Sequence, residues 1–446
     1  MSMEQAKSAV PDLLEKLSRK ECTVGIVGLG YVGLPLCLAI ASAGLQVIGF
    51  DIDRHRVGSL ISLRSYFEHI PDLAIESLLA SRRFQATDDF RRLNEPDAIL
   101  VCVPTPLTPH REPDLSFIIS AGRAIAQYMR RGQLIVLEST TYPGTTEEVL
   151  RPILESTGMI SGRDFFLAYS PEREDPGNPS FTTADIPKII GGLDAGRDLA
   201  VALYSSFVTR IVPVSSVAVA EAVKLAENVF RAVNIALVNE LKMIFDAMGL
   251  DVWEVIEAAK TKPFGFMPFY PGPGIGGHCV PIDPYYLTWK AQEYGLVTQL
   301  IELAGQINTG MPQYVVNQLA LALDRQQKIG LNGSRILVVG LGYKKNIDDT
   351  RESPALRLIE LIEARGATAD FFDPFVATIP VTRKSLAGRT SFKWDIAALS
   401  IYNAAVIATD HDCIDYASLV NSCRLVIDTR NACRRAGIDA PHVVRA

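Results

Sequence analysis

A cysteine that could act as a nucleophile follows a loop rich in glycine and proline. The segment "PGPGIGGHCVPIDP", residues 271–284, holds four glycines and four prolines around Cys279. Glycines let a backbone approach another group closely, and prolines on either side fix where it approaches. A cysteine thiolate can add to a carbonyl carbon and form a covalent adduct. The loop therefore predicts either a presented nucleophile or an inert cysteine beside a tight turn.

A glycine motif near the N-terminus predicts a dinucleotide site. Gly28, Gly30 and Gly33 form G-x-G-x-x-G between an apolar strand-like run and a helical pattern. Asp51 ends the next apolar run, at the spacing expected of an acid that hydrogen-bonds a dinucleotide's ribose. A negative charge there would repel a 2′-phosphate, so the motif favours NAD over NADP. The alternative is that these glycines only permit tight packing of the helix on the strand.

A second glycine motif lacks its last glycine. "VVGLGYKKN" repeats the spacing at Gly340 and Gly342, but Lys345 replaces the third glycine. Lys344 and Lys345 would supply cations suited to phosphate oxygens, and Arg351 could add a two-pronged contact. The motif therefore predicts a lobe that binds a phosphate-bearing substrate rather than a second dinucleotide. A solvated basic loop is the alternative.

The pattern of elements predicts an α/β fold with two Rossmann-like, doubly wound lobes. Strand-like and helical runs alternate in both lobes, whereas the segment from residue 215 to 248 contains no glycine or proline and predicts one long helix. We expect this helix to support a dimer interface. Three parts are predicted: an NAD-binding domain over 1–214, a central helical region with the cysteine loop over 215–328, and a second Rossmann-like domain over 329–446.

Polar residues recur on the predicted long helix. Glu221, Lys224, Asn228 and Arg231 are three or four residues apart and share one helical face. Such a stripe is either a solvent-exposed face or the wall of a site. In a site, Lys224 and Asn228 could stabilise a developing alkoxide or oxyanion. Glu172, after another strand-like run, is either a base for a hydrolytic water or a turn residue.

The composition argues against several classes of function. A net charge of −6 with both signs spread along the chain disfavours a nucleic-acid-binding face. The seven cysteines are scattered and the six histidines lack metal-ligand spacing, which argues against a disulfide framework and a metal site. No apolar stretch approaches the ~20 residues of a membrane span, and the N-terminus lacks an apolar signal core. We expect a cytoplasmic protein whose cysteines are mostly buried.

The sequence resembles the UDP-glucose/GDP-mannose dehydrogenases, which use NAD to oxidise the C6 alcohol of a nucleotide sugar to a carboxylate. The resemblance covers nearly the whole chain and rests on "GLGYVGLP", "VPTP", "ESTTYPGTT", "SPERE", "KLAENVFRAVNIALVNE", "GGHCVPIDP" and "YKKNIDDTRESP". Within this family the chain looks most like the bacterial UDP-N-acetylglucosamine 6-dehydrogenases of O-antigen synthesis, which share "REPD", "SPEREDPGNP", "GPGIGGHC" and "DPYYLTWKA". The resemblance implies that the third part binds the UDP-sugar.

The resemblance also implies a role for each matching residue. Cys279 would be the nucleophile, and Asp283 with Thr140 would hold the catalytic water. The implied catalytic residues are Cys279, Lys224, Asn228, Asp283, Thr140 and Glu172. The implied NAD contacts are Gly28, Gly30, Tyr31, Val32, Gly33, Asp51, Arg56, Thr105, Thr140 and Arg351. The implied substrate contacts are Glu172, Arg173, Lys224, Asn228, Arg231, Gly274, Gly276 and Lys344.

Two positions depart from the UDP-glucose branch of this family. Ile282 stands where that branch has a lysine, and Pro176 where it has a second glutamate. These changes argue against UDP-glucose and are compatible with a bulkier acetamido sugar. UDP-N-acetylmannosamine and UDP-N-acetylgalactosamine stay open, because one C2 or C4 stereocentre leaves no readable mark in a single sequence.

Two other functions fit parts of the sequence. A two-electron hydroxyacid dehydrogenase would use the first glycine motif and the long helix, but it leaves Cys279 and Lys344 unexplained. A non-catalytic sensor of NAD or of a nucleotide sugar would need binding groups and no nucleophile. The joint presence of a cysteine, a lysine, an asparagine and an aspartate in the matching motifs favours the enzyme.

Overall fold

The computed structural model describes residues 3–67, 70–108, 110–173, 182–277, 280–380 and 386–446. Two compact units make up the chain: residues 1–227 with 285–296, and residues 228–284 with 297–446. The boundary after residue 227 falls inside the long helix, within the central part expected from the sequence. The division into 1–214, 215–328 and 329–446 therefore stays a prediction.

The first unit is built on an eight-stranded sheet. Its strands are β1 Thr23–Val27, β2 Gln46–Phe50, β3 Phe84–Thr87, β4 Ala98–Val101, β5 Leu134–Leu137, β6 Phe166–Tyr169, β7 Lys188–Gly192 and β8 Ile211–Pro213. They lie in the order β3-β2-β1-β4-β5-β6-β7-β8, parallel except for the β6–β7 pair. The strand order reverses direction at β1, which is where doubly wound sheets bind ligands at their carboxyl edge.

Alternating side chains cover both faces of this sheet. In β4, Leu100 packs into one apolar cluster and Ile99 into another, and Val136 and Ile135 repeat the pattern in β5. Strands that are apolar on both faces are typical of parallel sheets with helices on each side. The helices are α1 Met3–Ser18, α2 Gly33–Ser42, α3 Arg54–Ile61, α4 Asp72–Ala80, α5 Ser116–Tyr128, α6 Arg151–Glu155 and α7 Gly196–Tyr204, with a 3-10 turn at Phe90–Asn94 and a π-helical turn at Thr146–Leu150.

The second unit has a five-stranded parallel sheet in the order β10-β9-β11-β12-β13. Its strands are β9 Arg335–Val339, β10 Thr368–Phe372, β11 Ala404–Ile407, β12 Val426–Asp428 and β13 Val443–Arg445. The later helices of the chain are α8 Val217–Met248, α9 Val252–Lys260, α10 Asp283–Glu293, α11 Gln299–Ala322, α12 Pro354–Ala364, α13 Ile396–Leu399, α14 Tyr416–Ser422 and α15 Ala432–Arg435, with a π-helical turn at Leu323–Gln327. The predicted α/β class with two Rossmann-like sheets is confirmed.

Helix α8 is the long helix expected from the sequence. It runs for 32 residues and stops at Gly249, whose φ of 72° is a left-handed conformation that ends helices. Its residues up to Glu227 belong to the first unit and the rest to the second. Across the described part of the chain, no helix combines the length and apolar character needed to cross a membrane.

Candidate active site

The first glycine motif forms the turn between β1 and α2. Gly28 has a φ of 97°, and a Cβ there would lie 2.5 Å from the carbonyl oxygen of Cys102. A Cβ at Gly33 would overlap the carbonyl oxygen of Gly28, so close packing requires both glycines. A Cβ at Gly30 would meet nothing within 4 Å. Gly30 therefore faces open space at the start of a helix, where a diphosphate can approach the backbone.

Asp51 follows β2 at the same edge of the sheet. Its carboxylate is buried and accepts hydrogen bonds from the backbone N–H groups of Leu29 and Asp53, both at 2.8 Å. The guanidinium of Arg56 lies 3.4 Å from the Asp51 carboxylate. An acid here binds the ribose hydroxyls in dinucleotide folds. The open side of Gly30 and the place of Asp51 thus fit NAD.

The other expected NAD contacts lie in loops and turns. Thr105 follows β4 and Thr140 follows β5, and both are half-buried. Tyr31 and Val32 are half-buried in the turn before α2. Arg351 belongs to the second unit, where its guanidinium pairs with Asp349 at 2.5 Å. These contacts stay predictions.

Lys224 lies in the buried face of α8, beside a carboxylate of the first unit. Its Nζ is 3.5 Å from Oε2 of Glu172, in the loop after β6, and both side chains are less than one-tenth exposed. A buried ammonium is tolerated only where a charge or hydrogen bond compensates it. The pair therefore concentrates a cation and a proton acceptor in a dry environment. Arg173, an expected substrate contact, binds Glu227 and the carbonyl oxygen of Pro187.

Asn228 lies one turn beyond Lys224 on α8, in the second unit. Its Nδ2 donates to Oδ2 of Asp283 at 2.5 Å, and both residues are buried. Asp283 is the first residue of α10. Arg231, which the sequence placed on the same face, is exposed. The first three residues of the predicted stripe are buried, and the fourth is exposed although it lies on nearly the same side of the helix as Lys224.

Glu221 begins the buried stripe and holds the loop that follows β5. Its fully buried carboxylate accepts the N–H of Gly144 at 2.6 Å, and the N–H and hydroxyl of Thr146 at 2.9 and 2.6 Å. Burial raises the pKa of Glu221 to about 7, although these hydrogen bonds oppose the rise. The sequence placed Glu221 in the polar stripe without giving it this role. The signal available in the sequence was that Glu221 lies about one helical turn before Lys224.

The buried carboxyl of Glu221 makes the stability of the fold depend on pH. Between its usual pKa of 4.5 and about 7, the folded chain holds a proton that the unfolded chain has released, so rising pH favours unfolding. We expect the stability of the wild type relative to Glu221→Gln to fall by about 3 kcal/mol over this interval. Urea unfolding of both proteins between pH 4.5 and 7.5 measures the difference. Parallel profiles would show instead that the three donors keep Glu221 ionised.

The glycine loop before the candidate nucleophile packs against other segments of the second unit. A Cβ at Gly276 would lie 2.5 Å from Cβ of Tyr343, and one at Gly274 would lie 3.2 Å from Pro354. The N–H of Gly277 donates to the carbonyl oxygen of Arg351 at 2.9 Å. The close approach that the glycines predicted is thus made to the protein itself, and their contact with a sugar stays a prediction. Cys279 and Pro176 lie outside the described residues.

The segment from Gly340 to Asn346, here called the lysine loop, differs from the first glycine turn. A Cβ at Gly342 would lie 2.7 Å from the carbonyl oxygen of Ile347, so the space that is open at Gly30 is filled here. Asp373 follows β10, as Asp51 follows β2, but its Oδ2 contacts Nε2 of the buried His411 at 3.0 Å. Burial acts to raise the pKa of Asp373, yet its hydrogen bonds hold it below the usual value. Both acids are buried, but the side-chain partner of Asp373 is a histidine ring, whereas that of Asp51 is the Arg56 guanidinium.

Arg430 is a candidate site residue that the sequence analysis missed. It follows β12 at the carboxyl edge of the second sheet, and its Nε donates to the carbonyl oxygen of Ala408 at 3.0 Å. A Cβ at Gly272 would lie 2.5 Å from Nη1 of Arg430. The signal was an arginine two residues after a buried strand, at the edge where these sheets bind ligands.

The described cysteines separate into two kinds. Cys22, Cys37, Cys102, Cys423 and Cys433 are buried, and Cys413 is exposed. Burial raises the pKa of the Cys22 thiol to about 12 and that of Cys423 to about 11. The expectation that most cysteines are buried is confirmed for these six. The described residues also contain no group of three His, Cys, Asp or Glu side chains suited to a metal ion.

Comparison with known families and proteins gives matches along the chain. Models of the UDP-glucose/GDP-mannose dehydrogenase family match residues 22–208 (NAD binding domain), 218–310 (central domain) and 337–435 (UDP binding domain). A UDP-N-acetyl-D-glucosamine 6-dehydrogenase of Pseudomonas aeruginosa is 38% identical over 361 residues, 80% of this chain and 84% of the relative. An NDP-N-acetyl-D-galactosaminuronic acid dehydrogenase of Ralstonia nicotianae is 36% identical over 422 residues, 92% of this chain and 95% of the relative.

A solved structure adds the fold to these matches. The UDP-D-ManNAc dehydrogenase of Pyrococcus horikoshii has a TM-score of 0.84 and 36% identity, with 92% of this chain and 96% of that chain covered. The match agrees with two observations on the glycine turns. The turn at Gly30 in the first unit leaves space that fits NAD, and in the corresponding turn of the second unit backbone atoms fill that space. The chain therefore belongs to the UDP-glucose/GDP-mannose dehydrogenase family and carries its NAD-binding, central and UDP-binding domains in that order.

Proposed function

We propose that this NAD-dependent UDP-sugar dehydrogenase oxidises the C6 alcohol of UDP-N-acetylglucosamine to the carboxylate. The observation that carries the proposal is the pair of buried polar contacts on neighbouring turns of α8. Lys224 lies 3.5 Å from Glu172, and Asn228 lies 2.5 Å from Asp283. In the first unit a buried cation lies beside a carboxylate, and in the second a buried amide donor lies beside another carboxylate. Groups of these kinds suit the removal of a proton and the stabilisation of an alkoxide.

Bound NAD supplies the hydride acceptor for each of two oxidations at C6. In the first, a water held by Asp283 and Thr140 takes the hydroxyl proton, and Lys224 stabilises the alkoxide as C6 becomes an aldehyde. The Nδ2 donor of Asn228 assists this charge stabilisation. A preorganised donor in a buried site contributes more than one in water, because it needs no reorganisation as charge develops.

The second oxidation depends on Cys279. Its thiolate adds to the aldehyde carbon, and the resulting oxyanion is stabilised by Lys224 and Asn228. Loss of a second hydride turns this adduct into a thioester. Water, assisted by Glu172, then adds to the thioester carbon, releases the carboxylate and returns the thiol.

UDP-N-acetylglucosamine is the sugar favoured by the motifs, and its epimers are the competing substrates. The P. aeruginosa relative is named for UDP-N-acetyl-D-glucosamine, whereas the R. nicotianae and P. horikoshii proteins are named for galactosaminuronic acid and mannosamine derivatives. Ile282 supports an acetamido sugar over UDP-glucose, since it replaces a lysine of the UDP-glucose branch. We place the reaction in the cytoplasm, in the synthesis of a surface polysaccharide such as O-antigen.

We further propose that two copies associate through α8. Phe230, Leu237 and Ile244 are each about half exposed and recur every seven residues. A seven-residue apolar repeat is typical of helices that pack along one another. The expected assembly is a homodimer or a higher homo-oligomer.

The yield of NADH per molecule of limiting UDP-N-acetylglucosamine, with NAD in excess, tests the proposed reaction. We expect a ratio of about two, because the alcohol loses four electrons in two hydride transfers. A ratio near one would mean that the aldehyde is released and would contradict the thioester. If no NADH forms with this sugar but the mannosamine or galactosamine epimer gives a ratio near two, the reaction stands and the choice of sugar is wrong.

A further inference from the structure

The lysine loop is held in place by the residues that follow β11. The segment from Thr409 to Asp412 lies directly beneath it: a Cβ at Gly340 would overlap the carbonyl oxygen of Thr409. The Thr409 hydroxyl donates to the carbonyl oxygen of Gly342 at 2.5 Å. The loop therefore rests on a second stretch of backbone at the carboxyl edge of the sheet.

His411 fixes the far end of the loop through one defined tautomer. The backbone N–H of Asn346 donates to its Nδ1 at 2.9 Å, so Nδ1 carries the lone pair. The proton is then on Nε2, which donates to Oδ2 of Asp373 at 3.0 Å. The same Oδ2 accepts the N–H groups of Leu341 and Gly342, at 2.5 and 2.9 Å. One buried Asp–His pair thus holds both ends of the loop.

Asp412 holds the side chains of the loop. Its carboxylate accepts from Nδ2 of Asn346 at 2.6 Å, and its own N–H donates to Oδ1 of Asn346 at 3.0 Å. Nζ of Lys345 lies 3.0 Å from the same carboxylate. Asn346 has a φ of 63°, so the chain reverses directly after the two lysines. Lys345 is therefore engaged by Asp412.

We propose that His411 and Asp412 are positioning residues that set the place of Lys344 for the diphosphate of the nucleotide sugar. The inference rests on the proposed function and on the expectation from the sequence that Lys344 contacts the substrate phosphates. A loop already held in its binding conformation loses less entropy when the ligand binds. The locked loop accordingly contributes to the binding of UDP, and it leaves the chemistry at C6 to other residues.

The test compares two variants, each of which can keep one of the two hydrogen bonds made by the His411 ring. In His411→Gln the amide can still donate towards Asp373, but Nδ1 is lost, whereas His411→Asn can place an acceptor near Nδ1. We expect His411→Gln to weaken the binding of UDP alone, measured by calorimetry, by about tenfold, the effect of one buried hydrogen bond. The KM for the UDP-sugar should rise by a similar factor while kcat and the KM for NAD stay unchanged, and His411→Asn should recover part of the affinity.

Substitutions at exposed positions show whether an effect on UDP binding arises only from misfolding. Asp412→Ala removes a side chain that is 62% exposed, and it should also weaken UDP binding. Cys413→Ser changes the exposed neighbouring residue and should leave UDP binding as in the wild type. Unchanged UDP affinity in both His411→Gln and Asp412→Ala would overturn the inference alone. Failure of the wild type to bind UDP would overturn the proposed function and the inference with it.

Discussion

In the Cys279→Ser variant, formation of the carboxylate product is expected to fall by roughly 10³-fold or more. A cysteine is partly ionised near neutral pH and its thiolate is a strong nucleophile, whereas a serine hydroxyl needs an additional base. Without the thiolate no adduct forms that can lose the second hydride and then hydrolyse as a thioester. The first oxidation does not need the sulfur, so the variant should produce at most one NADH per sugar.

The product mixture and the NADH yield together check this result. Mass spectrometry of the sugar should show aldehyde or its hydrate in place of the acid. Cys413→Ser is the matched control, because Cys413 is an exposed free cysteine to which the proposed reaction gives no role. Two NADH per sugar from Cys279→Ser, with normal acid formation, would contradict covalent catalysis.

Lys224→Met is expected to lower kcat by roughly 10²- to 10³-fold, with a smaller change in the KM for the UDP-sugar. In the proposed reaction the ammonium stabilises charge that develops on the C6 oxygen and that is absent from the bound alcohol. Its removal therefore costs more in the transition state than in the ground state. Methionine keeps most of the side-chain volume, so the loss should reflect charge rather than packing.

Helix α8 offers a control on the same element. Lys242 is also buried, pairs with Asp246 and has a pKa lowered by burial, but it lies five turns further along the helix. Lys242→Met removes a buried cation without touching the proposed site, so it should affect the melting temperature and leave kcat near the wild-type value. If both variants lose activity to the same extent, Lys224 acts through the fold and its assigned role is wrong.

The sequence predicted the parts of the structure that depend on local patterns. G-x-G-x-x-G with Asp51 was identified because the spacing reports a turn and a strand length, both of which are local. The length and end of α8 followed from the absence of glycine and proline before Gly249. The break at Lys345 correctly separated the second glycine motif from the first.

The parts that depend on contacts between distant segments were not predicted. The capture of the loop around Thr146 by Glu221 joins residues 75 positions apart. The side-chain hydrogen bond to Asp373 comes from His411, 38 positions further on. Arg430 lies beside Gly272 although more than 150 residues separate them. Periodicity shows which face of an element is buried, but it does not show which other element packs against that face.

The division of the chain inside α8 limits how this protein can exchange parts with its relatives. The unit boundary falls between Glu227 and Asn228, and residues 285–296 belong to the first unit although the flanking segments belong to the second. A recombination event that moved one whole unit would have to splice a continuous helix between Lys224 and Asn228. It would also have to carry a short distant stretch of the gene. New sugar preferences in such a chain should therefore arise by point substitution more readily than by the exchange of intact modules.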